Sequence, residues 1–134
     1  MAEWVIFPVL VMGVVLGLLE LIFVHSDEAG MGWFKHGMHA IPIMLVLIAV
    51  SFNIGPAFKL AGYPLEETLW VDIGIRALLG VIATIKIKSA AAIAGKAGSF
   101  GEKLWHAAII GLLIAISPYL WPLVQPMVPQ FLQF

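Results

Sequence analysis

Histidine and carboxylate side chains gather near the ends of the apolar segments of the chain, and such groups bind metals or move protons. His36 and His39 are three positions apart, so both rings lie on one face if a helix has begun by Lys35. With nearby carboxylates they could hold a divalent metal such as Zn²⁺, or a redox metal such as iron or copper. The same groups also suit a proton relay. The candidate metal ligands are His25, Asp27, Glu28, His36, His39 and His106.

The spacing of these residues differs from established metal motifs. It is neither His-Glu-x-x-His nor the paired Glu-x-x-His of a di-iron bundle. We favour the simpler interpretation that these side chains face water or lipid headgroups, because polar groups in loops are mostly solvated. The chain also lacks a nucleophile elbow, a phosphate loop and a dinucleotide fingerprint. We therefore name no catalytic residue and expect a protein that is not an enzyme.

Ionisable and amide groups also occur inside the apolar segments. Asp72 and Arg76 are four positions apart, which allows an ion pair within one helix. Glu20 lies about one helical turn before the end of the first apolar segment. Ionisable groups at membrane depth usually face protein or water, not lipid. The candidate ion or proton pathway is Glu20, Asn53, Asp72 and Arg76.

Each of these residues also has a structural interpretation. The Asp72–Arg76 pair could be a locally neutralised pair near the membrane surface, or could dock onto a partner subunit. Glu20 could reach the interface, or pair with His106 or a lysine. The Asn53 amide could hydrogen-bond a neighbouring helix, which is a commoner role for asparagine in membranes than lining a pore. We favour the structural interpretation for the ion pair and for Asn53.

The composition indicates the environment in which these residues lie. The chain has 134 residues, of which 62% are hydrophobic and 11% charged, with a mean hydropathy of +1.05. Soluble domains are roughly 45–50% apolar and about 25% charged, so the excess apolar surface predicts a lipid bilayer as partner. The net charge of -1 and the dispersed basic residues argue against nucleic acid. The absence of cysteine excludes disulfides and thiolate metal sites.

Four apolar runs predict an all-α polytopic membrane protein, a bundle of four transmembrane helices with short loops. The first run has 21 residues, which at about 1.5 Å per residue cover a bilayer core of about 30 Å. We expect Pro56 to kink or end the second helix, and Pro118 and Pro122 to end the fourth. Residues 89–101 either extend the third helix or form a linker. The single membrane domain, 1–134, comprises spans 4–24, 38–60, 68–88 and 104–121 and a Pro-rich interfacial tail, 122–134.

Lysine placement predicts the orientation in the cell membrane. Four spans put both termini on one side and loops 25–37 and 86–103 on the other. The side that contains these two loops carries five lysines, whereas the opposite side carries Lys59 and Arg76. The five are Lys35, Lys86, Lys88, Lys96 and Lys103. By the positive-inside rule these loops are cytoplasmic and both termini are outside. We expect no cleaved signal peptide, because Glu3 precedes the first run without a basic residue and no small-residue cleavage site follows it.

Small residues at helical spacing predict close helix packing, within the protomer or between protomers. Gly13 and Gly17 form a Gly-x-x-x-Gly pattern, which lets helix backbones approach closely in lipid. A second small-residue stripe comprises Ala77, Gly80 and Ala83.

Three functions fit these features. The first, which we favour, is a non-catalytic integral membrane subunit of a homo-oligomer or larger membrane complex, with self-association or other membrane subunits as partners. The second is a small oligomeric ion or metal transporter or channel. The third is a metal-binding or accessory subunit of a membrane oxidoreductase, in which the histidine and carboxylate residues hold the metal.

Overall fold

A computed structural model describes residues 3–27, 32–63, 65, 68–94 and 103–130. They form four long helices that pack as a bundle, with no strand among the described residues. Residues 125–127 form a short 3-10 turn after the last helix. The predicted all-α bundle of four helices is confirmed. The helices are α1 (Phe7–Asp27), α2 (Trp33–Leu60), α3 (Leu69–Ala94) and α4 (Leu104–Val124).

The helices are suited to lipid. Three segments are long and apolar enough to cross a membrane: Phe7–Asp27, Ala40–Leu60 and Leu104–Met127. Helix α3, with 26 residues, is also long, but it carries Asp72, Arg76, Lys86 and Lys88. Many large apolar side chains point outward from all four helices, as expected where the hydrocarbon of a bilayer replaces water.

The bundle consists of two tightly packed antiparallel hairpins, α1 with α2 and α3 with α4. In the first hairpin Gly17 lies against Ile41, and a Cβ on Gly17 would contact the Ile41 side chain at 3.5 Å. In the second hairpin Gly80 lies directly against Gly111, where an added Cβ on Gly80 would be 3.1 Å from the Gly111 carbonyl oxygen. Fully buried apolar side chains of α2 and α4 fill the space between the hairpins: Met44, Ile48, Ile110 and Ile114.

The predicted end of α4 at proline is wrong, because α4 continues through Pro118 and Pro122 to Val124. Helix α2 continues through Pro56 and ends at Leu60, the last residue of its predicted span, so Pro56 does not end the helix. Proline removes one helical hydrogen bond, but in a membrane protein neighbouring helices can satisfy the carbonyl that it releases. The hydroxyls of Ser51 and Ser117 do this for the carbonyl four residues before Pro118.

Several further boundaries differ from the predicted spans. Helix α1 begins at Phe7 and not at residue 4, and α2 begins at Trp33 and not at residue 38, so residues 33–37 are helical and not part of a loop. Helix α1 runs on through His25 to Asp27, so these residues belong to its last turn and not to a loop. Helix α3 extends to Ala94, which supports the interpretation of residues 89–94 as a helical extension. Residues 95–102 lie outside the described part of the chain.

Candidate functional site

The first polar cluster joins three helices at the end of the bundle where α3 begins. Arg76 Nε donates to both carboxylate oxygens of Asp72, at 3.0 and 2.9 Å, so the ion pair expected from the four-residue spacing is present. Arg76 Nη1 also donates to the backbone carbonyl oxygen of Ser51 in α2, at 3.0 Å. Both charged side chains are largely withdrawn from the surface, so their charges are balanced inside the protein.

Tyr119 of α4 completes this cluster. Its hydroxyl donates a hydrogen bond to Asp72 Oδ2, and the Arg76 guanidinium lies over its ring, 5.0 Å from the ring centroid. Tyr119 was not among the predicted site residues, because it lies 47 positions from Asp72 and only the packing of α3 on α4 joins them. The available signal in the sequence was an aromatic residue near the end of an apolar run, which indicates a membrane interface but not a partner.

A cavity of about 340 Å³ adjoins the cluster. Asp72 and Arg76 supply its charged wall, and the start of α3 and the Pro56 region of α2 supply its apolar walls. Such a space can hold a small polar solute beside a carboxylate that is already neutralised by a guanidinium. The lining residues are Phe52, Gly55, Pro56, Leu65, Leu69, Asp72, Arg76 and Tyr119.

The second polar cluster lies at the opposite end of the bundle and connects α1 with α4. Asp27 Oδ2 lies 2.5 Å from His106 Nδ1 and accepts a hydrogen bond from the Lys103 backbone N–H at 2.9 Å. Its other oxygen, Oδ1, is 3.1 Å from Lys103 Nζ. A carboxylate that accepts a backbone N–H at the start of a helix is a helix cap, and here the cap comes from another helix.

Aromatic rings enclose His106. Its ring stacks on Phe23, with the centroids 4.2 Å apart, and lies 3.6 Å from the ring centroid of Trp105. His106 is 5% exposed. Glu20, on the same side of α1 as Phe23 and Asp27, is also 5% exposed, so the structure places a second ionisable group in the interior of this half of the bundle.

The predicted metal ligands are only partly brought together. Asp27 and His106 are in contact, whereas the His25 ring stacks on Trp33 with the centroids 3.7 Å apart. Glu28 and the side chains of His36 and His39 lie outside the described residues. Within the described part of the chain, no three histidine, aspartate or glutamate side chains converge as metal ligands. The metal site stays a prediction.

The predicted ion pathway is distributed over three places. Asp72 and Arg76 form the first cluster, and Glu20 lies in the other half of the bundle. Asn53 instead binds the backbone ahead of α1: its Oδ1 accepts from the Val5 N–H at 2.8 Å, and its Nδ2 donates to the Val5 carbonyl at 3.1 Å. The favoured interpretation was a hydrogen bond from Asn53 to a neighbouring helix, whereas the observed partner, Val5, lies two residues before α1.

An apolar layer separates the two polar clusters. Tyr119 and His106 lie about 20 Å apart along α4, at a helical rise of about 1.5 Å per residue. Between them the interior contains Met44, Ile48 and Ile110, each with no exposed surface. A charged solute in either cluster would have to cross this packed layer to reach the other, at a high cost in desolvation.

Most of the predicted packing residues lie inside the protomer. Gly13 and Gly17 face α2, and Gly80 and Ala83 face inward on α3, whereas Ala77 is exposed on the outer face of that helix. Gly111 was not among the predicted packing residues. An added Cβ on Gly111 would lie 2.5 Å from the Gly80 carbonyl oxygen and would also clash with the Thr84 hydroxyl, so α3 and α4 approach closely at these glycines.

Comparisons of the chain with known protein families, with curated proteins and with solved structures found no match.

Proposed function

We propose that the chain is a non-catalytic subunit of a membrane assembly, and that it acts by lateral association with copies of itself or with other membrane proteins. One observation carries this proposal: the outward face of α3 combines small residues with large apolar ones. Like α1, α3 packs mainly along one neighbour, here α4, so one face of the helix is uncovered. The outer stripe of α3, defined as the residues that point away from α4 and α2, comprises Trp70, Gly74, Ala77 and Val81.

The outer stripe has the properties of a helix contact in lipid. Trp70 is 82% exposed and Val81 is 56% exposed, and a Cβ on Gly74 would meet no atom within 4 Å. Small side chains at Gly74 and Ala77 let a second helix approach the backbone, where dispersion contacts and weak Cα–H hydrogen bonds form. Large side chains on either side supply further contact area.

The interior supports the same proposal. Asp72 pairs with Arg76, and Asp27 pairs with His106 and Lys103, so these charged groups stabilise the protomer's own helix contacts. The packed layer of Met44, Ile48 and Ile110 lies between the two clusters. Both features favour a structural subunit over a conducting protomer.

The proposal includes an orientation with both termini outside and the Lys-rich loops in the cytoplasm. Phe7 at the start of α1 contacts Trp121 near the end of α4, with ring centroids 5.7 Å apart, which supports placing both termini on one side of the membrane. The excess of lysine at the opposite end supports assigning that end to the cytoplasm.

Cross-linking in native membranes tests the association. The chain contains no cysteine, so a single introduced cysteine reports one position. We expect Gly74→Cys and Val81→Cys to give oxidised dimers, or adducts of defined mass with one partner. The matched controls Val14→Cys and Leu18→Cys, on the exposed face of α1, should stay uncross-linked. A monodisperse monomer in mild detergent, together with no cross-link on α3, would refute the proposal.

A second candidate function is transport of a small ion, and the cavity of about 340 Å³ beside Asp72 favours it. A liposome flux assay for protons and divalent cations, with Asp72→Asn and Glu20→Gln variants, tests this function. Flux in the wild type that is lost in Asp72→Asn supports transport. Absence of flux for protons and for divalent cations excludes transport of these ions. Metal analysis of the same purified protein, with His36→Ala and His39→Ala controls, tests the metal-binding alternative.

A further inference from the structure

An apolar groove runs between α2 and α3. The two helices touch where Arg76 donates to the Ser51 carbonyl, and beyond that contact, toward Pro42, they leave a groove of about 530 Å³. The walls are Pro42, Ile43, Val46, Leu47 and Ile82, with Lys86 and Ser89 at one end. The groove faces away from the core and opens sideways, where the bilayer lies.

The groove has the shape and chemistry of a site for an acyl chain. Its volume lies in the range of small-molecule sites, and its walls are aliphatic over nearly their whole length. Val46 is 63% exposed and Ile82 is 43% exposed, so the walls are accessible to a lipid from the side. A straight hydrocarbon chain in the groove would make dispersion contacts with protein on two sides, whereas a chain on the surface of a single helix makes them on one.

Lys86 decides which lipid suits the groove. Its side chain is exposed at the end of the groove nearest the Lys-rich loops. None of the described residues forms an ion pair with its ammonium, unlike that of Lys103, which pairs with Asp27. A lysine at the membrane end of an apolar groove attracts the phosphate of an anionic headgroup, since each such lysine favours anionic lipid near the surface.

We infer that the groove between α2 and α3 binds an anionic phospholipid, with one acyl chain along Val46 and Ile82 and the phosphate at Lys86. This inference does not depend on the proposed association, because the groove lies on a different side of α3 from the outer stripe. The occupant is a lipid and not a second protein helix, because Lys86 at the rim suits an anionic headgroup. The walls also contain no glycine or alanine that would let a helix backbone approach closely.

Native mass spectrometry of the full-length protein in mild detergent tests this. Phosphatidylglycerol and phosphatidylcholine with identical chains are titrated separately. We expect the wild type to bind phosphatidylglycerol about fivefold more tightly. Both lipids carry a phosphate, but the choline cation offsets its charge in phosphatidylcholine, so only phosphatidylglycerol presents a net negative charge to Lys86. Lys86→Gln should abolish this preference but retain binding of both lipids. The matched control Lys59→Gln, an exposed lysine at the other end of α2, should behave as the wild type.

A groove-filling variant separates the chain contact from the charge contact. Val46→Trp places a large ring in the groove at an exposed position, so the fold is expected to tolerate it. It should reduce binding of both lipids. Equal affinity of the wild type for the two lipids, or a preference that persists in Lys86→Gln, would overturn the inference. The inference would also be overturned if the wild type binds no lipid and forms a dimer that Val46→Trp converts to a monomer. A second copy of the chain would then occupy the groove.

Discussion

The hydroxyl of Ser51 in α2 donates a hydrogen bond of 2.6 Å to the carbonyl oxygen of Ile114 in α4. Ile114 lies four residues before Pro118, whose nitrogen carries no hydrogen, so this carbonyl has no helical N–H partner. The Ser117 hydroxyl donates to the same oxygen at 2.8 Å. Two serines therefore replace the lost helical hydrogen bond and hold α4 against α2 at a proline.

The serine pair predicts a background-dependent loss of stability. We expect Ser51→Ala to lower the free energy of unfolding by about 0.5–2 kcal/mol, because it removes a buried hydrogen bond within the membrane. In a Pro118→Ala background the carbonyl regains a backbone N–H, so the same substitution should cost much less. Denaturation in mixed detergent micelles, followed by tryptophan fluorescence, gives the four free energies of this cycle. Equal losses in the two backgrounds would contradict the role assigned to Ser51.

The ion pair of Asp72 and Arg76 predicts strong coupling. Asp72→Asn leaves the arginine without its counter-charge, and Arg76→Gln leaves the carboxylate without its counter-charge; each should destabilise the protein by about 3 kcal/mol. The double variant removes both charges, so it should cost less than the sum of the single variants. The same denaturation assay measures the coupling. Additive losses would show that the pair is a solvated surface pair with little energetic consequence.

The cap at Asp27 predicts a local effect at the start of α4. Asp27→Ala should cost about 1 kcal/mol, because it removes the acceptor of the Lys103 N–H and the partner of His106. Amide hydrogen exchange should accelerate at Lys103 and through the first turn of α4 but not in the middle of that helix. The control is Ile22→Ala, a substitution at an exposed position of the same helix. Unchanged exchange at Lys103 in Asp27→Ala would argue against capping.

The contact of Gly80 with Gly111 predicts a steric effect. Gly111→Ala places a methyl group 2.5 Å from a backbone carbonyl oxygen, so the hairpin of α3 and α4 must open. We expect a loss of about 1–3 kcal/mol. Gly74→Ala, on the same hairpin but with open space around the added carbon, should be neutral or slightly stabilising because alanine favours a helix. The denaturation assay should be run on monomeric protein, and similar losses for both variants would refute the steric explanation.

Local relationships were predicted more reliably than long-range ones. The Asp72–Arg76 pair follows from four-residue spacing on one helix, and any helix containing it brings the two side chains together. Tyr119, Ser51 and Gly111 have no such local signal, because their partners lie on other helices and depend on how those helices are aligned. The predicted end of α4 at Pro118 was wrong for the same reason, since the compensating hydroxyl of Ser51 is 63 positions away from Ile114.

The order of residues along the chain is enough to specify long apolar helices, because apolar runs of this length can satisfy their backbone hydrogen bonds in lipid only by forming helices. It also determined which charged groups these helices carry. The tertiary structure decided where those groups lie: two clusters at opposite ends of the bundle and a packed apolar layer between them. Helix register and rotation set these positions. Both depend on how complementary surfaces such as Gly80 and Gly111 fit together, which no single stretch of residues specifies.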